Sequence, residues 1–353
     1  MAGCPLAGQK VGIIMIIVVR PGASEAQVRE IIDQLEAHGL KAHISEGSER
    51  LIIGVIGDKS RLSNDSLEVL PGVEKLVPIM ESYKLASKAF RPEGTAFDIK
   101  NVTIGGKELV MMAGPCAVES EEQVEEVAAF VRKCGAKFLR GGAYKPRTSP
   151  YAFQGLEKEG LKILRRVADR HDLLVISEIT SENDIEYAAD YVDMIQIGAR
   201  NAQNFRLLSA VGKSGIPVLL KRGIAETIDE LLGSAEYVMS EGNYKIALCE
   251  RGIRTFETAT RSTLDLSAVP VLKSKTHLPV IVDPSHAAGK ALYVPALSRA
   301  AIAAGADGLI IEVHPNPKFA MSDAAQQLTP EVYRTLTDEI RAMASILGRT
   351  YPV

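Results

Sequence analysis

The stretch Lys137-Phe138-Leu139-Arg140-Gly141-Gly142-Ala143-Tyr144-Lys145-Pro146-Arg147-Thr148-Ser149-Pro150 opens on an apolar run and releases Arg140, Lys145 and Arg147 behind it. Gly141 and Gly142 let the following loop turn tightly, while Pro146 and Pro150 stiffen it. Arginine offers planar, forked donors and lysine a compact point charge, so the set suits a ligand carrying phosphate and carboxylate groups. A solvated surface loop would be equally polar. The two readings separate on whether other apolar runs in the chain end the same way.

Outward from this stretch, short β-branched runs cover Leu109 to Ala113, Lys137 to Leu139, Leu173 to Ser177, Met194 to Ile197, Val218 to Leu220, Ile246 to Cys249, Val280 to Val282 and Gly308 to Ile311. Amphipathic helices fit between them at Glu121 to Lys133, Leu161 to Arg170, Asn201 to Gly212, Ile224 to Met239, Val294 to Ala304 and Pro330 to Leu347. Eight strands with crossover helices predict an α/β chain whose residues 101–353 close into a (β/α)8 TIM barrel, near the roughly 250 residues usual for that fold. A doubly wound open sheet is the alternative, but no G-x-G-x-x-G opens the first crossover.

In order, the runs release Gly114-Pro115-Cys116, Arg140, Glu178, Gly198-Ala199-Arg200-Asn201, Lys221-Arg222, Glu250-Arg251, Asp283-Pro284-Ser285-His286 and Glu312. Barrel active sites are assembled at this end of the strands, from several of them at once. Arg140, Lys145, Arg147, Arg200, Lys221 and Arg251 form one converging set of cations that would repel one another without an anionic ligand. Individually each has a plain alternative: Arg251 could pair with Glu250 or Glu257, and Lys221 could be a solvated rim group. Cys116, His286, Glu312 and Asp323 form a second set, a sulfur, an imidazole and two carboxylates suited to a divalent metal ion such as Mn²⁺, Fe²⁺, Co²⁺ or Zn²⁺. Their spacing is not a ligand motif. A buried cysteine also serves as a small hydrophobe, and His286 or His314 could be a hydrogen-bonded bystander.

Upstream, Val11 to Ile79 reads strand, helix, strand, strand, weak helix, strand, a βαββαβ unit of ferredoxin-like type. Ser24 caps the first helix, whose Val28, Ile31, Ile32 and Leu35 recur at helical spacing, and Gly39 closes it. Ala42-His43-Ile44-Ser45 and Leu51 to Ile56 form a hairpin across Glu46-Gly47-Ser48-Glu49, and a weak helix covers Ser60 to Leu70. The expected organisation is an extension at 1–10, a small domain at 11–80, a linker at 81–100 and the barrel at 101–353, with a hairpin around Gly105-Gly106 leading into it.

A net charge of −3 over 353 residues leaves no broad basic field for nucleic acid, so any anion site must be local. Cys4, Cys116, Cys134 and Cys249 lie far apart without a C-x-x-C, which points to a reducing, cytoplasmic compartment. The run Val11 to Val19 is too short for a membrane span and lacks an A-x-A cleavage pattern, and no membrane partner is expected.

Met112 to Ser120, Leu139 to Thr148, Gln196 to Asn201, Leu220 to Gly223, Cys249 to Gly252 and Val282 to His286 together resemble the 3-deoxy-D-arabino-heptulosonate 7-phosphate (DAHP) synthase family, most closely its type I-beta subgroup with an N-terminal ferredoxin-like domain. The resemblance implies condensation of phosphoenolpyruvate with erythrose 4-phosphate, releasing phosphate and opening the shikimate pathway to aromatic amino acids. It implies Cys116, His286, Glu312 and Asp323 as metal ligands and Arg140, Lys145 and Lys221 at the phosphoenolpyruvate carboxylate. Arg200, Arg251 and the Ala199 backbone would then hold the phosphate of that substrate, and Pro146, Arg147 and Thr148 the erythrose 4-phosphate. Lys145 is placed to pass a proton and Glu178 to orient water. A homotetramer and inhibition by tyrosine or phenylalanine through the small domain are also implied, with His43 and Ser45 as effector contacts. The related 3-deoxy-manno-octulosonate 8-phosphate synthases carry a loop resembling K-A-N-R-S-S where this chain reads Lys145-Pro146-Arg147-Thr148-Ser149, which favours the four-carbon acceptor. A non-catalytic phosphate-ligand binding protein would have no need of the metal quartet.

Overall fold

Side chains along a strand point alternately to two sides, and in the larger unit those two sides become two cores. The computed structural model describes residues 13–46, 51–57, 67–78, 83–146, 149 and 151–352, and the chain divides into two compact units after residue 82.

In the first unit, strands β1 (Ile13–Val19), β2 (Lys41–Glu46), β3 (Leu51–Ile56) and β4 (Val73–Pro78) pair antiparallel in the order β2-β3-β1-β4, with the helix Glu25–Ala37 between β1 and β2. This is the strand order of a ferredoxin-like sheet. Ser24 Oγ accepts from the Gln27 amide at 3.3 Å and the Gln27 side chain accepts from the Ser24 amide at 2.9 Å, a reciprocal cap that fixes where the helix starts. Ile31 and Leu35, one turn apart on that helix, are buried against Met15, Ile17, Ile53 and Val55 of the sheet. His43 and Ser45 stand opposite Gly54 and Ile52 in the backbone register of β2 and β3, while their side chains lie outside the described residues. The expected turn at Gly47-Ser48-Glu49 and most of the expected second helix also lie outside them.

In the second unit, β7 (Val110–Gly114), β8 (Phe138–Arg140), β9 (Leu174–Glu178), β10 (Met194–Ile197), β11 (Val218–Lys221), β12 (Ile246–Glu250), β13 (Val280–Val282) and β14 (Gly308–Glu312) pair parallel into a closed barrel. Met111, Leu139, Val175, Ile195, Leu220, Leu248 and Ile311 face outward to the helices. Val110, Met112, Phe138, Leu174, Met194, Leu219, Ala247 and Ile281 fill the interior, together with Phe97, Ile99, Val102 and Ile104. The last four belong to an antiparallel hairpin, β5 (Phe97–Ile99) and β6 (Val102–Ile104). Lys100 Nζ at its tip lies 2.7 Å from the carboxylate of Asp193, the residue before β10. The hairpin therefore stops the N-terminal end of the barrel and leaves the C-terminal end for chemistry.

Three expectations change here. The hairpin turn falls at Lys100-Asn101, with Lys100 in left-handed backbone (φ 52°), and not at Gly105-Gly106. Gly105 has another duty: at φ 85° an added Cβ would come 2.3 Å from the Thr95 carbonyl oxygen. The stretch expected as a linker at 81–100 is, from Tyr83 on, fixed to the barrel unit. Tyr83 and Ala86 are buried in its core, the Leu85 and Ala86 amides donate to Glu236 at 3.0 and 2.9 Å, and His277 bridges the Leu85 carbonyl and the Thr95 hydroxyl. Finally, a helix at Ala268–Lys275 has no counterpart in the sequence reading, because it is short and carries Pro270 within it.

Candidate active site

Strand parity sorts the groups at the C-terminal ends of the strands. Arg140 lies two residues after inward Phe138, Glu178 two after Ile176, Gln196 two after Met194 and Lys221 two after Leu219. Arg251 follows Cys249 in the same phase, as Asp283 follows Ile281 and Glu312 follows Ile310. Arg222 and Glu250 fall in the opposite phase. They pair with each other at 2.9 Å, and Arg222 also with Asp265 at 2.9 Å, so this buried cation holds the barrel wall together rather than facing a ligand.

The mouth encloses a cavity of about 400 Å³, with Lys145, Arg200, Lys221, Arg251, Arg254 and Arg261 on its wall against the carboxylates of Glu178 and Asp323. Pro146, Ala199, Gln196, Ser262 and His286 complete most of the lining. Lys221 is ion-paired with Asp283, and Arg261 with Asp323 at 3.2 Å. Arg200, Arg251 and Arg254 have no carboxylate within ion-pairing distance among the described residues. Arg251 is only 6 % exposed, and burial holds its pKa below the usual arginine range against the opposing pull of Asp283. Among the described residues its hydrogen bonds are limited to the Gly252 carbonyl and the Ser262 hydroxyl, both at 3.5 Å. A buried guanidinium left in this state is built to meet an anion.

Beside the cavity, Cys116 Sγ and one carboxylate oxygen each from Glu312 and Asp323 all lie within 4.8 Å of one another. His286 is brought in by the sequence Asp283-Pro284-Ser285-His286, which starts the short helix Pro284–Ala288. Asp283 caps that helix through the His286 amide at 2.9 Å and takes the His286 ring at Nδ1, 2.7 Å away. Nε2 is then free to turn toward Glu312 Oε1, at 3.4 Å. An imidazole fixed through one nitrogen by a carboxylate, presenting the other to a cluster of sulfur and carboxylates, is the donor chemistry of a divalent metal site. Burial, reinforced by the Glu312 carboxylate, pushes the Cys116 thiol up to about 11, so it keeps its proton until a cation displaces it. Burial acts to raise the Glu312 carboxyl, but His286, Arg140 and Lys145 outweigh it and hold it below its ordinary value.

Most of the expected site residues converge. Lys145, Ala199, Arg200, Lys221 and Arg251 reach the cavity wall, and Lys145 Nζ sits 3.1 Å from Cys116 Sγ, joining the cation set to the donor set. Arg140 differs: it is buried behind the wall, donating to the Pro115 carbonyl at 2.7 Å and Glu312 at 3.1 Å, with Nε left without a partner among the described residues. Arg147 and Thr148 lie outside the described residues. His314 faces Glu119 at 3.4 Å, away from the donors. Sequence reasoning missed Gln196, Arg254, Arg261 and Gln326, and named Asp283 at its strand end without its role of holding Lys221 and the His286 ring. Strand parity would have found Gln196, whereas Arg254 and Arg261 sit on a long loop without periodicity.

Residues 84–348 match the family model described as the DAHP synthetase I family. The chain belongs to that family. Residues 15–81 match a second model, the DAHP synthase ferredoxin-like domain, so the DAHP synthetase I match and the small domain together account for most of the chain. The chain is 52 % identical over 334 residues to a phospho-2-dehydro-3-deoxyheptonate aldolase of Thermotoga maritima, covering 95 % of this chain and 99 % of that one. A crystal structure under that name and DAHP synthase, from the same organism, superposes with a TM-score of 0.78 at 50 % identity, covering 96 % of this chain and 100 % of the other. A 2-dehydro-3-deoxyphosphooctonate aldolase of Koribacter versatilis is more distant, 31 % identical over 272 residues that cover 71 % of this chain and 96 % of the relative.

Proposed function

We infer that this chain condenses phosphoenolpyruvate with erythrose 4-phosphate to give DAHP and phosphate, the entry step to aromatic amino acids, as the 52 % identical Thermotoga relative's name indicates for that enzyme. The observation that carries the reading to this chain is the unneutralised cation set over one cavity, joined through Lys145 to the Cys116, Glu312 and Asp323 cluster. Two phosphorylated substrates repel each other, and a wall carrying Arg200, Arg251 and Arg254 offsets that repulsion while fixing their separation.

Arg200, Arg251 and the Ala199 amide hold the phosphoenolpyruvate phosphate, and Lys145 with Lys221 its carboxylate. Arg147 and Thr148 hold the acceptor's phosphate, and Pro146 stiffens the loop that carries them. Arg140, implied by the family resemblance at the phosphoenolpyruvate carboxylate, steadies the donor set through Glu312. Cys116, His286, Glu312 and Asp323 would hold a divalent cation, Mn²⁺ or a similar ion, which supplies Lewis acidity to the acceptor's aldehyde oxygen. C3 of phosphoenolpyruvate attacks the aldehyde carbon, and water adds at C2, where positive character develops. Glu178, tethered through Gln196 at 3.4 Å on the cavity wall, orients that water and takes its proton, and Lys145 gives one to the new hydroxyl. Carbon–oxygen cleavage then expels phosphate. The small domain senses tyrosine or phenylalanine, through contacts that include His43 and Ser45, in a cytoplasmic homotetramer. No described helix is long and apolar enough to cross a membrane.

Phosphate release by the full chain, before and after stripping with a chelator, tests the reading. Activity should vanish on stripping and return with Mn²⁺, and full turnover by the stripped protein would overturn the metal role.

A further inference from the structure

The loop after β14 presents Asp323 in left-handed backbone, φ 48° and ψ 39°. A non-glycine residue adopts that conformation against a steric penalty, and it persists only where the surroundings over-determine it. The surroundings here are two consecutive glutamines, Gln326 and Gln327, which are 2 % and 1 % exposed. Neither lines the cavity. Gln326 Nε2 donates to Glu312 Oε2 at 2.7 Å, and its Oε1 accepts from Arg261 Nη1 at 2.9 Å. The same Arg261 nitrogen lies 3.2 Å from Asp323 Oδ2. Gln327 Oε1 accepts from the Cys116 amide at 3.0 Å, and its Nε2 donates to the Ser322 carbonyl at 2.9 Å.

Each amide thus has an acceptor and a donor engaged, which fixes its orientation, since a flipped amide would set donor against donor and acceptor against acceptor. One glutamine ties the Asp323 loop to the end of β14, where Glu312 sits. The other ties it to Cys116, just after β7. We propose that Gln326 and Gln327 are positioning residues, a two-armed amide clasp that sets the spacing of Cys116, Glu312 and Asp323 and with it the affinity of that cluster for a divalent cation. The inference rests on the reading of those residues as a metal donor set. Both amides carry no net charge, so replacing them leaves the charge of the cluster unchanged while releasing its geometry.

Gln326→Met and Gln327→Met keep approximate volume and charge while removing the clasp. Mn²⁺ affinity is measured on the metal-stripped full chain by the paramagnetic resonance signal of free Mn²⁺, together with the thiolate-to-metal absorption of the Co²⁺ form and the melting temperature of the stripped protein. Each variant should bind Mn²⁺ about 10–100-fold more weakly, as outer partners of metal ligands usually do, with an altered Co²⁺ band and little change in melting. Gln326→Asn and Gln327→Asn, which keep the amide but shorten its reach, should give the same direction and serve if either methionine variant fails to fold. Binding within twofold of wild type in the folded variants overturns the clasp. Failure of the wild-type chain to bind Mn²⁺ removes the donor-set reading and the clasp with it, so the two failures are distinguishable.

Discussion

Arg251→Met should make the ligand-free protein more stable and cut its response to phosphoenolpyruvate to about a third. The guanidinium is almost fully buried, its hydrogen bonds are long, and Glu250, its sequence neighbour, is taken by Arg222. Burying an ion without a full set of partners carries an effective penalty of several kcal/mol, and replacing buried charges by apolar groups of similar volume stabilises by about 1–4 kcal/mol where it stabilises at all. Asp283 offsets part of the penalty, so a gain of about 1–2 kcal/mol is reasonable, or a few degrees of melting temperature for a domain of this size. Against that, truncating one partner of a buried, hydrogen-bonded charge pair costs about 2–5 kcal/mol of binding, roughly 30-fold or more. At a ligand concentration about 100 times the wild-type Kd, phosphoenolpyruvate stabilises the native protein by about 2.7 kcal/mol; weakened 30-fold, the same concentration leaves about 0.9 kcal/mol. Thermal melts with and without phosphoenolpyruvate read both effects in one experiment. A variant that melts lower than wild type without ligand and keeps the full ligand shift would refute the assignment of Arg251 as an anion-facing, uncompensated cation.

Other residues give independent tests. Burial acts to raise the Asp193 carboxyl, but Lys100, the Val175 amide and Arg165 outweigh it, so its folded pKa lies below the unfolded value of about 3.9. Its contribution is therefore complete above that value and lost as pH falls through the folded one; Asp193→Asn should lower the urea midpoint at pH 7, with the gap from wild type closing below roughly pH 4. Because the Cys116 thiol is pushed up to about 11 while burial holds the His286 pKa below its ordinary value, cation binding should displace the thiol proton and none from the imidazole at neutral pH. Apparent Mn²⁺ affinity should then rise about tenfold per pH unit between about pH 7 and 9, and Cys116→Ser should flatten that slope. A Cβ at Gly198 would come 1.9 Å from Glu178 Oε1; since a carboxylate can swing away, Gly198→Ala should lower kcat while barely moving the melting temperature.

The barrel was legible because each strand's apolar run is short and bounded by polar residues, and six of the eight run ends release an ionisable group at the very next position, the other two releasing Cys116 and Arg200 at the third. Strand limits differed by about one residue for a physical reason: Arg140, Glu178, Lys221, Glu250 and Glu312 are the last paired residues of their strands and not the first of their loops. The cation set was legible as a set but not in its internal division. Arg222 and Lys221 are adjacent in sequence, yet one holds the barrel wall and the other faces the cavity, a difference that only the inward or outward phase of β11 decides. Arg261 and the glutamine clasp were invisible because they act across loops, where no periodicity links a residue to its partner 65 positions away. The plug formed by β5 and β6 was hidden for a related reason, since three-residue strands carry too little alternation to register.

The most direct measurement is the acceptor preference of the purified full chain supplied with phosphoenolpyruvate and Mn²⁺, comparing erythrose 4-phosphate with arabinose 5-phosphate by phosphate release and product mass. One phosphate per phosphoenolpyruvate consumed and a higher kcat/KM for erythrose 4-phosphate, with DAHP as the product, are expected. Turnover that favours arabinose 5-phosphate, or phosphoenolpyruvate binding without turnover of either sugar, would contradict the account.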